Sequence, residues 1–292
     1  MLRKTISLAI LAAVAMLGAV GLAKAQDGPT GWQLDLKRLS LNLSSTQVKN
    51  ADVYANFSDS RLNADSQTLV QGFSNFEATY SMPKYFWSNE LLAEYGKTTI
   101  KPQHGEETKT ESADRIILSS NIAYKLRKVE NFLGGFDVGP LANVSYETEF
   151  TSQSETPLRK LLRGRLGAKA FEGKYLKSLF VAIVFEEDFT YPEKSTNTAW
   201  EVGLKIEHPM REGVKASYGL SYLDYLSHGE DLLTNMDYTF EANARMDVLV
   251  YKNLAIAPFI NYYLAQGKYT ESLGQNLYVG VSFSFNKILK AR

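Results

Sequence analysis

Residues Leu277 to Phe285 read L-Y-V-G-V-S-F-S-F. Leu277, Val279, Val281, Phe283 and Phe285 fall on one face, and Tyr278, Gly280, Ser282 and Ser284 on the other. Strict alternation over that length specifies a strand with one apolar and one polar side. The same cadence recurs about a dozen times from Trp32 onwards, and it limits the fold to two architectures. A soluble β-sandwich buries the apolar faces against each other. A transmembrane barrel turns them outward to lipid and keeps the polar faces inside. After the N-terminal segment no apolar run approaches the ~20 residues a membrane helix needs, so a chain of this kind that spans a membrane does so as a closed barrel.

The N-terminal segment has its own logic. Arg3 and Lys4 precede an apolar run from Ile6 to Ala23, and Ala23-Lys24-Ala25 is an A-x-A site, so residues 1–25 read as a cleavable signal peptide and 26–292 as one barrel domain. Cleavage takes Arg3, Lys4 and Lys24 and no acid, leaving 29 basic against 32 acidic residues, a net −3. That balance gives no attraction for nucleic acid. Without Cys there is no disulfide framework, lipidated cysteine or thiol chemistry.

The first candidate strand has Leu34 and Leu36 in phase, then slips by one to Leu39, Leu41 and Leu43 across Lys37-Arg38. A one-residue slip predicts a bulge or bend there. Residues 44–66 read as a long polar first loop and 101–114 as a long charged one. Further long connections fall at 151–156, 190–198, 227–235 and 267–275. The short ones fall at 82–84, 128–131, 172–176, 209–213 and 251–253. Short turns on one rim, long loops on the other and an even strand number predict an all-β, transmembrane, antiparallel up-and-down β-barrel of about 12 strands, with both termini at the short-turn, periplasmic rim. Trp87, Tyr80, Tyr124, Phe132, Tyr146, Trp200 and Tyr262 stand near strand ends, where a lipid-facing sheet carries its aromatics.

Tyr278-x-Gly280-x-x-Phe283-x-Phe285 is similar to the C-terminal assembly signal of outer-membrane proteins. That resemblance implies presentation to the barrel-assembly machinery and a location in outer-membrane lipid. The usual pattern ends on the aromatic, whereas here Asn286 to Arg292 follow. Across residues 30–290 the chain resembles an uncharacterised, porin-like family of Gram-negative outer-membrane β-barrel proteins. The likeness rests on Trp32 to Leu43, Glu94-Tyr95-Gly96-Lys97 and Asn276 to Asn286. It implies no established activity, catalytic site or cofactor.

The polar face carries the functional expectation. Candidate lumen-lining residues are Glu77, Glu90, Glu94, Arg115, Lys125, Arg127, Glu147, Glu149, Arg159, Arg163, Arg165, Lys169, Glu201, Lys205, Glu241 and Arg245. Opposed charges across a narrow wet lumen orient polar solutes and tune ion selectivity, which makes a narrow passive channel the leading expectation. The basic run Arg159, Arg163, Arg165 and Lys169 points to anionic solutes. The bland alternative is that adjacent strands pair these charges and plug the interior, leaving a structural or adhesive surface barrel. A lipid hydrolase is a third reading. It needs a base beside a nucleophile, and of the three His only His228, after Ser227, has a suggestive setting. The expectation is therefore no enzyme, metal or cofactor, with oligomeric state left open.

Overall fold

The computed structural model describes residues 30–57, 59–63, 68–100, 108–151, 157–191 and 194–290. The predicted signal segment and His104 lie outside these residues. Thirteen strands form a single antiparallel sheet: β1 (Gly31–Lys49), β2 (Thr68–Ser81), β3 (Tyr85–Ile100), β4 (Thr108–Tyr124), β5 (Arg127–Val129), β6 (Phe136–Thr148), β7 (Lys160–Phe171), β8 (Leu176–Asp188), β9 (Ser195–Arg211), β10 (Val214–Ser227), β11 (Met236–Tyr251), β12 (Leu254–Gly267) and β13 (Gly274–Lys290). Among the described residues one short helix, α1 (Ser60–Asn63), lies between β1 and β2.

Apart from β4 and β5, each strand pairs with its chain neighbour, and β1 also pairs with β13, which closes the sheet on itself. β5 continues β4 past an interruption at Lys125–Leu126, since both pair with β6, so the wall is twelve strands around. Closure matters physically because it leaves no edge of unpaired backbone groups.

Burial separates barrel from sandwich. Along β1 the apolar Leu39, Leu41 and Leu43 are 52, 48 and 43% exposed, while the intervening Ser40, Asn42 and Ser44 are buried. Exposed apolar side chains recur at Leu118, Val144, Leu166 and Phe283, with Ser145 buried beside Val144 and Ser282 and Ser284 buried on either side of Phe283. A water-soluble protein does not bury serine and expose leucine along every strand; a barrel with lipid outside does. Leu118→Arg tests this, since an arginine near the bilayer midplane costs about 2–4 kcal/mol. Equilibrium unfolding in lipid vesicles should register a loss of that size. No loss would mean that the apolar face is not solvated by lipid.

The predicted bulge is present. Register shifts fall between Leu36 and Arg38 against β2, and between Leu36 and Leu39 against β13. Lys37 turns to Asp35 (2.7 Å) and Glu77 (3.1 Å), and Arg38 stacks over the Phe73 ring at 3.6 Å.

Three boundaries differ from expectation. β1 runs on to Lys49, and β3 and β4 reach Ile100 and Thr108, so the strands take up part of the anticipated first and second loops. The turn expected at 128–131 sits at 130–135, because β5 continues the wall to Val129. The residues after Phe285 are strand rather than tail: Lys287, Ile288 and Lys290 pair with Leu36, Asp35 and Leu34. They zip up the segment of β1 on the short-turn side of the bulge.

Candidate functional site

The first loop does not stand away from the barrel. Asn50 takes a left-handed backbone (φ 60°), which Asn tolerates, and successive turns then carry the chain inward. Tyr54, Phe57 and Leu62 are buried against Tyr263 and Ala265 of β12, with Met236 of β11 packed alongside. The Tyr54 hydroxyl donates to the Ser272 carbonyl (2.8 Å) and accepts from the Gly267 amide (3.1 Å). This apolar anchor holds α1 inside the long-loop mouth.

Next to the anchor runs a chain of alternating charges. Asp59 accepts from Arg61 (2.7 Å) and from the Tyr263 hydroxyl (2.7 Å). Arg61 reaches Glu241 on β11 at 3.1 Å and lies over the Tyr263 ring at 3.7 Å. Its carbonyl accepts from Asn276 of β13 at 2.6 Å. On the other side, Arg159 approaches Asp59 (3.8 Å) and Glu147 (3.5 Å), and Arg163 bridges Glu147 and Glu186, each at 2.6 Å. Burial pushes the Asp59 carboxyl up, but Arg61, then Arg159 and the Tyr263 hydroxyl, outweigh it and hold it well below the carboxylate range.

These contacts link β11 through the first loop to β6, β7 and β8, and they divide the upper lumen. A cavity of ≈ 50 Å³ lies on the side of Gln71, Glu94 and Tyr278. Another of ≈ 240 Å³ lies against Glu186, Glu201 and Leu223. Asp59, Arg61 and Arg159 line both. At the short-turn end, Phe86 of β3 meets Phe171 of β7 at 5.6 Å between ring centres. These strands are not sheet neighbours, so the contact crosses the lumen. Beside it, Lys125 pairs with Glu172 at 2.6 Å and donates to Ser81 at 3.0 Å.

The remaining residues singled out from sequence distribute as follows. Glu94 takes Arg115 at 3.0 Å and also accepts from Gln71. Glu77 meets Lys37, and Glu90 accepts from Asn75 at 2.5 Å. Arg165 reaches Glu201 (2.6 Å), Asn143 and Ser145. Arg245 pairs with Asp247 and donates to Ser284, each at 2.8 Å. Lys169 and Lys205 have no ion pair or hydrogen bond among the described residues.

Arg127 is placed differently from its sequence reading. The bulge at Lys125–Leu126 shifts the phase by one, so Arg127 stands opposite Val138, on the outer face. Lys128 takes the inner position opposite Asp137. Asp59 and Arg61, which tie the interior together, fall in the 44–66 stretch whose sequence predicts only a loop. Their one sequence signal is the apolar trio Tyr54, Phe57 and Leu62 in an otherwise polar stretch.

On the closing strand Tyr278 is buried and accepts from Asn276 at 2.7 Å, while Phe283 is exposed on the outer face. Gly280 lies where any Cβ would meet the Leu43 carbonyl at 2.3 Å. His228 stacks on Tyr225 and sets Nδ1 3.2 Å from Asn197 Oδ1. Burial, then Lys268, lowers its pKa, so the ring is neutral near pH 7. Ser227 and His228 share no hydrogen bond among the described residues.

Glu149, at the rim of the smaller cavity, accepts from the Arg159 amide at 2.9 Å. Burial pushes its carboxyl up to about 7; Arg159 opposes that shift, and Asp114 and Asp59 add to it. The folded pKa lies above the ordinary 4.5, so the fold favours the neutral acid, and that contribution is lost as pH rises through about 7. A carboxyl NMR titration in micelles should give a midpoint near 7; one at 4.5 would remove the effect.

Residues 55–152 match a family described as "Protein of unknown function (DUF3078)". No curated protein matches the chain. Among solved structures, the translocator domain of autotransporter NalP from Neisseria meningitidis is similar at 12% identity and TM-score 0.35, over 97% of this chain and 98% of that one. Outer membrane phospholipase A from Escherichia coli is similar at 10% and 0.42, over 85% and 90%. An anion-selective porin from Comamonas acidovorans is similar at 8% and 0.36, over 88% and 100%. At these values the likenesses say nothing about activity, and the barrel is read from this chain's own strand register.

Proposed function

We propose that the mature chain is an integral outer-membrane barrel acting as a narrow passive channel for small polar or ionic solutes, with its long-loop mouth throttled by its own first loop. The observation that carries this reading is the divided, charge-lined upper lumen, where a cavity of ≈ 240 Å³ lies beside the salt-bridged loop. A lumen meant only as filler gains nothing from buried ions, because well-packed apolar side chains are as stable or more so. In this reading lipid surrounds the barrel, the barrel-assembly machinery inserts it through the closing strand, both termini are periplasmic, and no catalysis is assigned.

Planar bilayers test the proposal. Purified full-length protein should give small conductance steps, and a chain lacking residues 51–63 larger ones. Silence from both, in either polarity, would sink the channel. It would favour the second reading, a plugged structural or surface barrel, which draws support from the Phe86–Phe171 contact and the Lys125–Glu172 pair across the short-turn end.

A further inference from the structure

Every arginine on the inner face of β7 is matched by a carboxylate: Arg163 by two, Arg165 by Glu201. The pull on anions expected of that basic run is therefore spent within the wall. Two inner-face cations on the short-turn side are different. Lys169 on β7 stands directly opposite Phe180 of β8, and Phe180 opposite Gly203 of β9. One step along the same face, Phe171, Ser178 and Lys205 form the next row across the same three strands. Lys169 and Lys205 thus flank Ser178 and Phe180 diagonally. Neither ammonium, nor the Ser178 hydroxyl, has a hydrogen-bond or ion-pair partner among the described residues.

We propose that Lys169, Lys205 and Ser178 form a binding subsite for a small oxyanion, a single carboxylate or phosphate group, in the short-turn half of the lumen. An ammonium on a partly enclosed wall needs water or an anion to complete its shell. Lysine is a strongly hydrated point charge on a flexible stem, suited to exchanging ligands where an arginine fork would lock one in place. The ring of Phe180 fills the space above Gly203, so it gives the site an apolar floor. Surrounding charge sets its capacity. Lys177, on the extra residue of a register shift in β8, has Lys37, Lys205 and Lys215 within electrostatic reach, with Glu207 among them. Glu77 and Glu90 act on Lys169 from β2 and β3. Those carboxylates limit the subsite to one anionic group and disfavour a polyanion.

The subsite's use in transit rests on the channel reading, but its occupancy can be read separately. Inorganic phosphate is titrated into detergent-solubilised full-length protein at constant ionic strength and followed by phosphorus NMR line broadening. Wild type and Lys268→Gln, altered only in an outer loop, should show equal saturable binding. Lys169→Gln and Lys205→Gln should each weaken it about tenfold, and the double variant should abolish it. Circular dichroism and heat-modifiable gel migration confirm that each variant is folded. No saturable binding by wild type, or unchanged binding by a folded double variant, overturns the proposal. Phosphate binding by a protein that is silent in bilayers would remove the channel and leave the subsite standing.

Discussion

Arg61→Ala should release the first loop and raise single-channel conductance towards that of the chain lacking residues 51–63. Arg61 is the cation that Asp59 and Glu241 share, at 2.7 and 3.1 Å. Removing its side chain leaves Asp59 with the residue-61 backbone amide, the Tyr263 hydroxyl and a distant Arg159, and leaves Glu241 with no ion-pair partner among the described residues. Breaking a largely buried pair from one side costs about 2–5 kcal/mol, because the surviving charge stays desolvated. The docked-to-undocked ratio of the loop should fall on the order of a hundredfold. The buried trio Tyr54, Phe57 and Leu62 still favours docking, so the barrel wall stays intact and the loss is local. Hydrogen exchange at residues 51–63 should rise while exchange in β6 to β10 stays unchanged. Arg61→Lys should be intermediate, since one ammonium cannot reproduce a fork that reaches Asp59 and Glu241 together. Wild-type conductance and exchange in Arg61→Ala would show that these ion pairs do not hold the loop. Acid should act on the same latch. The Asp59 carboxyl is depressed when docked, so its contribution is present above the ordinary 3.8 and is lost only as pH falls well below it.

How much of this was legible depends on whether the information is local. The face of each strand could be read because one side meets lipid and the other water, so composition alone labels Leu41 as outside and Asn42 as inside. The bulge at Lys37–Arg38 was legible for the same reason, as a slip in that labelling. The bulge at Lys125–Leu126 was not. The paired Arg127-Lys128 does break the alternation, but at a strand end it reads as the start of a turn, and the shift shows only when Leu126 and Arg127 both face Val138. The end of β13 was equally hidden. Asn286 to Lys290 do not alternate, and their strand character comes from the edge of β1's first residues that β2 leaves open. The first loop was the largest miss. Tyr54, Phe57 and Leu62 follow no strand period, and their burial depends on a pocket built from β11 and β12, some two hundred residues away. The choice of carboxylate for each arginine is likewise set by register and by the inserted loop, which spacing along the chain does not encode.

Gly280→Ala should prevent the barrel from closing. The added Cβ would lie 2.3 Å from the Leu43 carbonyl oxygen and 2.7 Å from the Ser44 Cβ. The first of these is backbone, so relief requires β1 and β13 to move apart. Ordinary overpacking costs about 1–3 kcal/mol, and this position is worse placed than most because it sits in the one seam that joins the chain's two ends. Spreading that seam breaks the ladder on which closure depends and exposes two edges to lipid, where unpaired backbone groups cost several kcal/mol each. The folded fraction after refolding into lipid vesicles should fall on the order of tenfold or more. Phe283→Ala provides the contrast. Its ring points outward and is 49% exposed, and removing it leaves the pairing of Leu41 with residue 283 sterically free. If the closing strand also serves as an assembly signal, Phe283→Ala should refold normally in vitro and fail only in cells, while Gly280→Ala fails in both. Normal refolding of Gly280→Ala would mean that the seam tolerates a methyl group at its closest approach, and the requirement for glycine would then belong to the assembly machinery alone.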